Sequence, residues 1–170
     1  MSGTVERLYG RLMSVVGIAR ISASKVLGGS GVRRYQCRFD GAEVRDGTPS
    51  VQQYGLTSRA KVGADAVVIF VGGNRGSGVI IATNDRRYQL ELEEGEVAIH
   101  DDLGHKVHLS RTGIRIDGGG HNLTITGVPK LLQDGDIEAT GDVKAGTISL
   151  LEHKHTSVMP GGGQSGPPTP

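Results

Sequence analysis

The chain has 170 residues, with 19 basic and 18 acidic side chains, 28 glycines, two Phe, four Tyr and no Trp. So even a charge balance gives no electrostatic reason for a nucleic-acid or anionic-membrane partner. Glycine stands far above its usual share of about 7%, and few large side chains are left to bury apolar area worth about 25 cal/mol per Å² against chain entropy; partner chains are expected to supply the missing core.

Cys37 is the single cysteine, so no intrachain disulfide forms, and a buried small hydrophobe is its expected state. The N-terminus, Met1-Ser2-Gly3-Thr4-Val5-Glu6-Arg7, has no signal-peptide pattern, and no run of about 18 apolar residues follows. The expectation is a soluble protein made in a reducing cytoplasm. Val5, Leu8, Leu12 and Val16 recur at spacings of three and four, which predicts a helix over 4–16. Its apolar side would pack on the following domain or dock on a larger assembly.

From residue 15 to 84 the pattern is β. Val15–Ile21 is apolar-rich, Gly28-Gly29-Ser30-Gly31 is a turn, and Arg33–Phe39 alternates with Tyr35, Cys37 and Phe39 on one face. Asp40-Gly41 and Asp46-Gly47 read as turn dipeptides. Two further strands, Ala66–Val71 and Gly78–Ala82, flank Gly72-Gly73-Asn74-Arg75-Gly76-Ser77. That glycine-rich stretch lacks the Gly-Lys-Ser/Thr ending of a phosphate loop and precedes a strand, so it reads as a hairpin turn. About five short strands in about 70 residues suit an OB-type barrel.

From Tyr88 onward short alternating runs repeat: Tyr88/Leu90/Leu92, Val97/Ile99, Val107/Leu109, Ile114/Ile116, Leu123/Ile125 and Ile137/Ala139. Glycine- or aspartate-rich turns separate them at intervals of about 9–12 residues, the texture of a meander or β-helix. Each run has one apolar face, and an open sheet of such strands would expose long edges. Three copies wound about a threefold axis would remove those edges; a sandwich within one chain is the alternative.

The last repeat, Gly146–Leu151, runs into Glu152-His153-Lys154-His155-Thr156 and a Gly/Pro-rich tail. On an extended segment His153 and His155 share a face and Lys154 points away. Alone, the pair is weak evidence for metal. Under threefold symmetry it becomes six imidazoles, a set that suits iron, zinc, copper or nickel and favours an octahedral ion over tetrahedral structural zinc. Two residues of strand span about 6.7 Å, so the rings would lean together to reach one ion at about 2.1 Å. Thr156, Ser157 or a backbone carbonyl would then hold the second ring nitrogen. The other histidines, His100, His105, His108 and His121, read as solvated or locally bonded. No catalytic set stands out: Glu91, Glu93 and Glu94 lie on an exposed face, and no Ser/His/Asp or Cys/His group is evident. The chain is expected to be no enzyme.

Taken together, the helix, barrel, β-repeats, His-x-His and tail resemble the central spike, or baseplate assembly protein V, of contractile-tailed phages, the Mu-like branch above all. The residues that carry the resemblance are Tyr54–Arg59, Gly63–Val68, Gly72–Gly76, Gly95–Ile99 with Asp102–Gly104, Leu151–Thr156 and Gly162–Pro168. It implies an all-β chain in four parts: a short helix over 1–16, an OB-fold barrel over 15–86, an intertwined trimeric β-helix over 87–150, and a metal-binding apex with its tail over 151–170. It further implies one iron ion per trimer held octahedrally by His153 and His155 of three chains. The implied partners are two more copies, the baseplate hub and tail tube, and transiently the host outer membrane, with no nucleic acid. The implied place is the tip of the virion tail baseplate, after assembly in the host cytoplasm. A carbohydrate-binding tail fibre and an OB-fold nucleic-acid binder are the other classes weighed. Scarce aromatics argue against the first, and neutral charge with no Trp against the second.

Overall fold

The computed structural model describes residues 2–25, 31–155 and 161. The turn expected at Gly28-Gly29-Ser30 lies outside the described residues, as do Thr156, Ser157 and the tail apart from Gly161. The chain divides into two compact units, Met1–Asn122 and Leu123–Pro170. Both are mostly β or extended, with one helix near the N-terminus. No helix among the described residues is long and apolar enough to cross a membrane.

The first unit opens with α1, Ser2–Met13. Its last turn rests against residues 71–73 and it runs directly into the first strand. The stripe expected to pack inward does not: Val5, Leu8, Tyr9, Leu12 and Met13 are each about two-thirds exposed, between 64% and 69%. The expected end at residue 16 also moves back, because Val16 joins the ladder of β1.

Five antiparallel strands follow: β1 Val16–Lys25, β2 Arg34–Arg38, β3 Val44–Pro49, β4 Asp65–Phe70 and β5 Gly78–Asn84. Their order across the sheet is β3-β2-β1-β4-β5. The sheet curls until its two outer strands approach: Ser50 and Ile80 form a parallel bridge, and the Val51 N–H donates to the Ile80 carbonyl at 3.0 Å. Alternation decides what lies inside the curl. Tyr35, Cys37 and Phe39, then Ala66, Val68 and Phe70, point inward with Ile21 and Ile80. The Tyr35 hydroxyl accepts the Ala60 N–H at 3.0 Å, so the one buried phenol is satisfied. Cys37 is fully buried, as its sequence context predicts, and burial pushes its thiol pKa up against a smaller opposing effect of the Thr48 hydrogen bond.

One turn differs from the sequence expectation and one agrees with it. Asp46-Gly47 is no turn between strands but a bulge inside β3: two steps of β2, from Tyr35 to Cys37, face three steps of β3, from Thr48 to Arg45. The Gly72–Ser77 stretch does join β4 to β5 as a hairpin, held by Val71 N–H to Ser77 O at 3.0 Å and Ser77 N–H to Asn74 O at 2.8 Å. Its Arg75 lies 4.7 Å from the Phe39 ring and 4.2 Å from the Phe70 ring, with Glu43 as its ion partner.

The same unit carries a three-stranded meander: β6 Val97–His100, β7 His105–Ser110 and β8 Gly113–Gly118. Lys61 pairs with Asp102, and the Lys61 and Arg87 cations stand 5.3 and 5.4 Å from the Tyr88 ring, so the meander is tied to the curled sheet. Register sorts its two faces. Val97, Leu109 and Ile114 align in one row, and Ile99, Val107 and Ile116 in the next. All six remain exposed, from 36% at Val107 to 75% at Ile114. The opposite face is polar, with Lys106–Asp117 and His108–Glu96 pairs.

In the second unit residues 123–143 contain no strand, and two short strands follow, β9 Lys144–Ala145 and β10 Ile148–Ser149. The runs expected as strands at Tyr88–Leu92, Leu123–Ile125 and Ile137–Ala139 are therefore not strands within one chain. A strand exists only where its N–H and C=O groups find a ladder, and these segments have none here. Leu123, Ile125, Leu131, Leu132 and Ile137 are all more than half exposed.

Candidate metal centre

Residues 144–155 are organised by a hairpin. Ala145 faces Ile148 across β9 and β10, leaving a two-residue loop, Gly146-Thr147. Gly146 takes φ 63°, the left-handed value that the first position of such a loop asks of glycine.

Ser149 then begins a single turn of chain. Its hydroxyl accepts the Glu152 N–H at 2.9 Å, and its carbonyl accepts the His153 N–H at 3.2 Å. The start of the turn is tied back as well: Leu150 N–H donates to Val143 O at 2.8 Å, and Leu151 N–H to Asp142 Oδ1 at 3.3 Å. His153 thus leaves a pinned backbone.

Its ring is pinned too. Nδ1 lies 2.8 Å from the Ser149 carbonyl oxygen and 3.2 Å from that of Leu150. A carbonyl oxygen only accepts, so Nδ1 carries the proton in these bonds. In the neutral ring Nε2 then keeps its lone pair, the tautomer that a metal ion needs. His155 stands beside it, with ring centroids 5.1 Å apart and planes at 79°. The sequence alternation that puts the two rings together is thus seen, although residues 153–155 are not in a strand. Lys154 is not segregated from them: Thr147, Ile148, Ser149, Glu152 and Lys154 line one open groove with both histidines.

Two exposed imidazoles, one held as the Nδ1–H tautomer, form a donor set of the right chemistry for a borderline transition metal. They are half or less of any coordination sphere. Among the described residues no three His, Cys, Asp or Glu side chains converge to hold an ion within one chain.

Sequence reasoning missed one arrangement entirely. His105 and His121, read as separate solvated residues, lie with ring centroids 5.1 Å apart at the end of the β7–β8 hairpin. Sixteen residues separate them, so only the strand register, which places His105 opposite Gly118, could reveal the pair.

Comparison with known proteins adds two matches at separate places in the chain. Residues 22–87 match the family described as Bacteriophage Mu Gp45, N-terminal. Residues 148–169 match the GpV apex motif, which contains both His153 and His155. The baseplate puncturing device gp45 of Escherichia phage Mu is 31% identical over 112 residues, covering 64% of this chain and 57% of that protein. The matched stretch is thus less than two-thirds of the relative's length.

Proposed function

We propose that this chain, which carries the N-terminal region of the Mu Gp45 family and the GpV apex motif, is the central spike of a contractile-tail baseplate, a non-enzymatic point driven through the host outer membrane. The observation that carries the reading is the pairing of His153 with His155 inside the apex-motif segment. The relative's name, baseplate puncturing device, supports this reading and, with it, a place at the tail baseplate of a virion.

The proposed division of labour follows the chain. Helix α1, Ser2–Met13, and the curled sheet after it, to about residue 86, face the hub and tail tube. The cyclic strand order, with β3 and β5 meeting in parallel, supports an OB-type barrel. Residues 87–150 form the shaft as three intertwined copies. What supports the trimer is the aligned, uncovered apolar face of β6–β8 and the ladderless apolar chain after it. Burying a side chain of this kind is worth about 1.5–3 kcal/mol, so six of them leave a large driving force unused in one chain.

At the apex, His153 and His155 of three chains supply six imidazoles to one iron ion. The ion, when bound, crosslinks three chain ends where fraying otherwise starts. The chain's own part is to hold Nδ1 of His153 on the Ser149 and Leu150 carbonyls, which would leave the Nε2 lone pair for the ion.

Metal analysis joined to a solution mass tests this. The expected result is a trimer with one iron ion per three chains, and loss of the iron in His153→Ala/His155→Ala. A monomer, or a metal-free protein with both histidines intact, would overturn it.

A further inference from the structure

A second histidine pair, His105 and His121 at the open end of the β7–β8 hairpin, is held within a single chain. Asp101 is its organiser. Its Oδ1 accepts the Leu103 N–H at 2.9 Å and the His105 N–H at 3.1 Å, while its Oδ2 lies 2.5 Å from Nδ1 of His105. The Asp101 N–H in turn donates to the His105 carbonyl at 3.2 Å, so the β6–β7 turn closes on itself around that carboxylate. A carboxylate accepts, which leaves the proton on Nδ1 and the lone pair on Nε2 of His105.

His121 is fixed from the neighbouring turn. Its N–H donates to the Gly118 carbonyl at 2.8 Å, and Gly118 is the register partner of His105. The two turns lie directly on one another: a Cβ at Gly119 would stand 2.8 Å from the Leu103 carbonyl oxygen, so only glycine fits there. Two imidazoles are thereby held 5.1 Å apart at a 57° tilt, both reachable from solvent, with the His105 side chain 38% exposed.

We infer that His105 and His121 form a second metal site, a two-imidazole site for a borderline divalent cation such as zinc(II), with Asp101 orienting His105. Carboxylate–histidine–metal is the common arrangement of such ligands, and imidazole is a ligand of choice for zinc. No third His, Cys, Asp or Glu converges on the pair among the described residues, so water completes the sphere. The site needs one chain only, takes one ion per chain, and does not depend on the apex proposal.

Calorimetric titration of the full chain with zinc(II) tests it, in wild type and in a His153→Ala/His155→Ala background. The His153→Ala/His155→Ala protein should bind one zinc ion per chain, and the wild type the same beside whatever its apex histidines take. His121→Ala should weaken that binding at least about tenfold, while circular dichroism stays that of the wild type. Asp101→Asn separates orientation from folding: its amide oxygen keeps the two backbone N–H bonds, but its NH₂ faces Nδ1 and forces the proton to Nε2. Affinity should fall about 10–100-fold, and the ¹⁵N chemical shifts of the His105 ring should report the exchanged tautomer. Absence of zinc binding in the His153→Ala/His155→Ala background, or binding there that His121→Ala leaves unchanged, overturns the inference.

Discussion

At the scale of single residues, orientation was the part that sequence hid. His-x-His spacing was enough to place His153 and His155 together. It did not say which atom would take the second nitrogen of His153, with Thr156, Ser157 and a backbone carbonyl all open. The answer, the Ser149 and Leu150 carbonyls, depends on a turn whose only sequence trace is Ser149 three residues before Glu152. Asp85 offers a direct test of a local lock of the same kind. It accepts Nε of Arg87 at 2.8 Å and a terminal guanidinium nitrogen at 2.6 Å, and Arg87 also donates to the Val62 carbonyl at 3.0 Å. The Arg87 hydrogen bond, ahead of every other cause, lowers the Asp85 pKa from 3.8 to about 2. A depressed carboxylate contributes stability that is full above its unfolded value and fades as pH falls through its folded one. Asp85→Asn should therefore melt below wild type at pH 6, and the gap should close between pH 4 and pH 2. Melting scans across that range check it, and a gap independent of pH would rule the lock out.

At the scale of elements, the sequence pattern located β1, β2 and β4–β8, missed β3 behind its Asp46-Gly47 bulge and the two-residue β9, and failed where a run has no partner in its own chain. Tyr35, Cys37 and Phe39 were legible as one face, and β2 pairs on both sides, so that face is buried. Leu123/Ile125 and Ile137/Ala139 carry the same pattern but find no ladder, since periodicity reports which side wants burial and not what will bury it. The meander makes that testable. Leu109 sits in the central strand with Val97 and Ile114 on either side. Leu109→Lys should drive the assembly toward monomers in analytical ultracentrifugation, because burying an unpaired ammonium costs several kcal/mol. Ala98→Lys on the opposite face should leave the mass unchanged. Helix α1 makes the reverse point. Its stripe at spacings of three and four was correctly read as helical; of the two fates left open, packing on the following domain and docking on a larger assembly, the first is seen only at the last turn. Since Val5, Leu8, Tyr9, Leu12 and Met13 bury little, deleting residues 2–13 should move the melting temperature by no more than a few degrees, as a change of about 1 kcal/mol does in a domain of this size. A large drop in the scan would mean the stripe is covered in the assembled protein by another copy.

At the scale of the whole molecule, the shortage of large side chains and the surplus of exposed ones are one fact seen twice. Fifteen large apolar residues from Val97 to Ile148 are exposed, and the two register rows of β6–β8 among them end in solvent. Composition announced this deficit, and the proposed winding of three copies is one way to meet it. The proposed iron adds a coupling that can be measured. An ion that needs six imidazoles binds only where three chains already meet, so its binding free energy is also association free energy. Loading should therefore shift the trimer–monomer equilibrium, whereas an ion bound within one chain leaves it untouched. Dilution series followed by sedimentation, with and without a strong chelator, should show the chelated protein dissociating at least about tenfold more readily, a change of about 1.4 kcal/mol. His153→Ala/His155→Ala should dissociate like the chelated wild type and no longer respond to chelator. Limited proteolysis gives the local counterpart: cleavage near Leu150 and Leu151 should speed up on chelation, because an unlocked apex frays from its end. Identical dissociation with and without chelator would mean that the histidines of different chains do not share an ion.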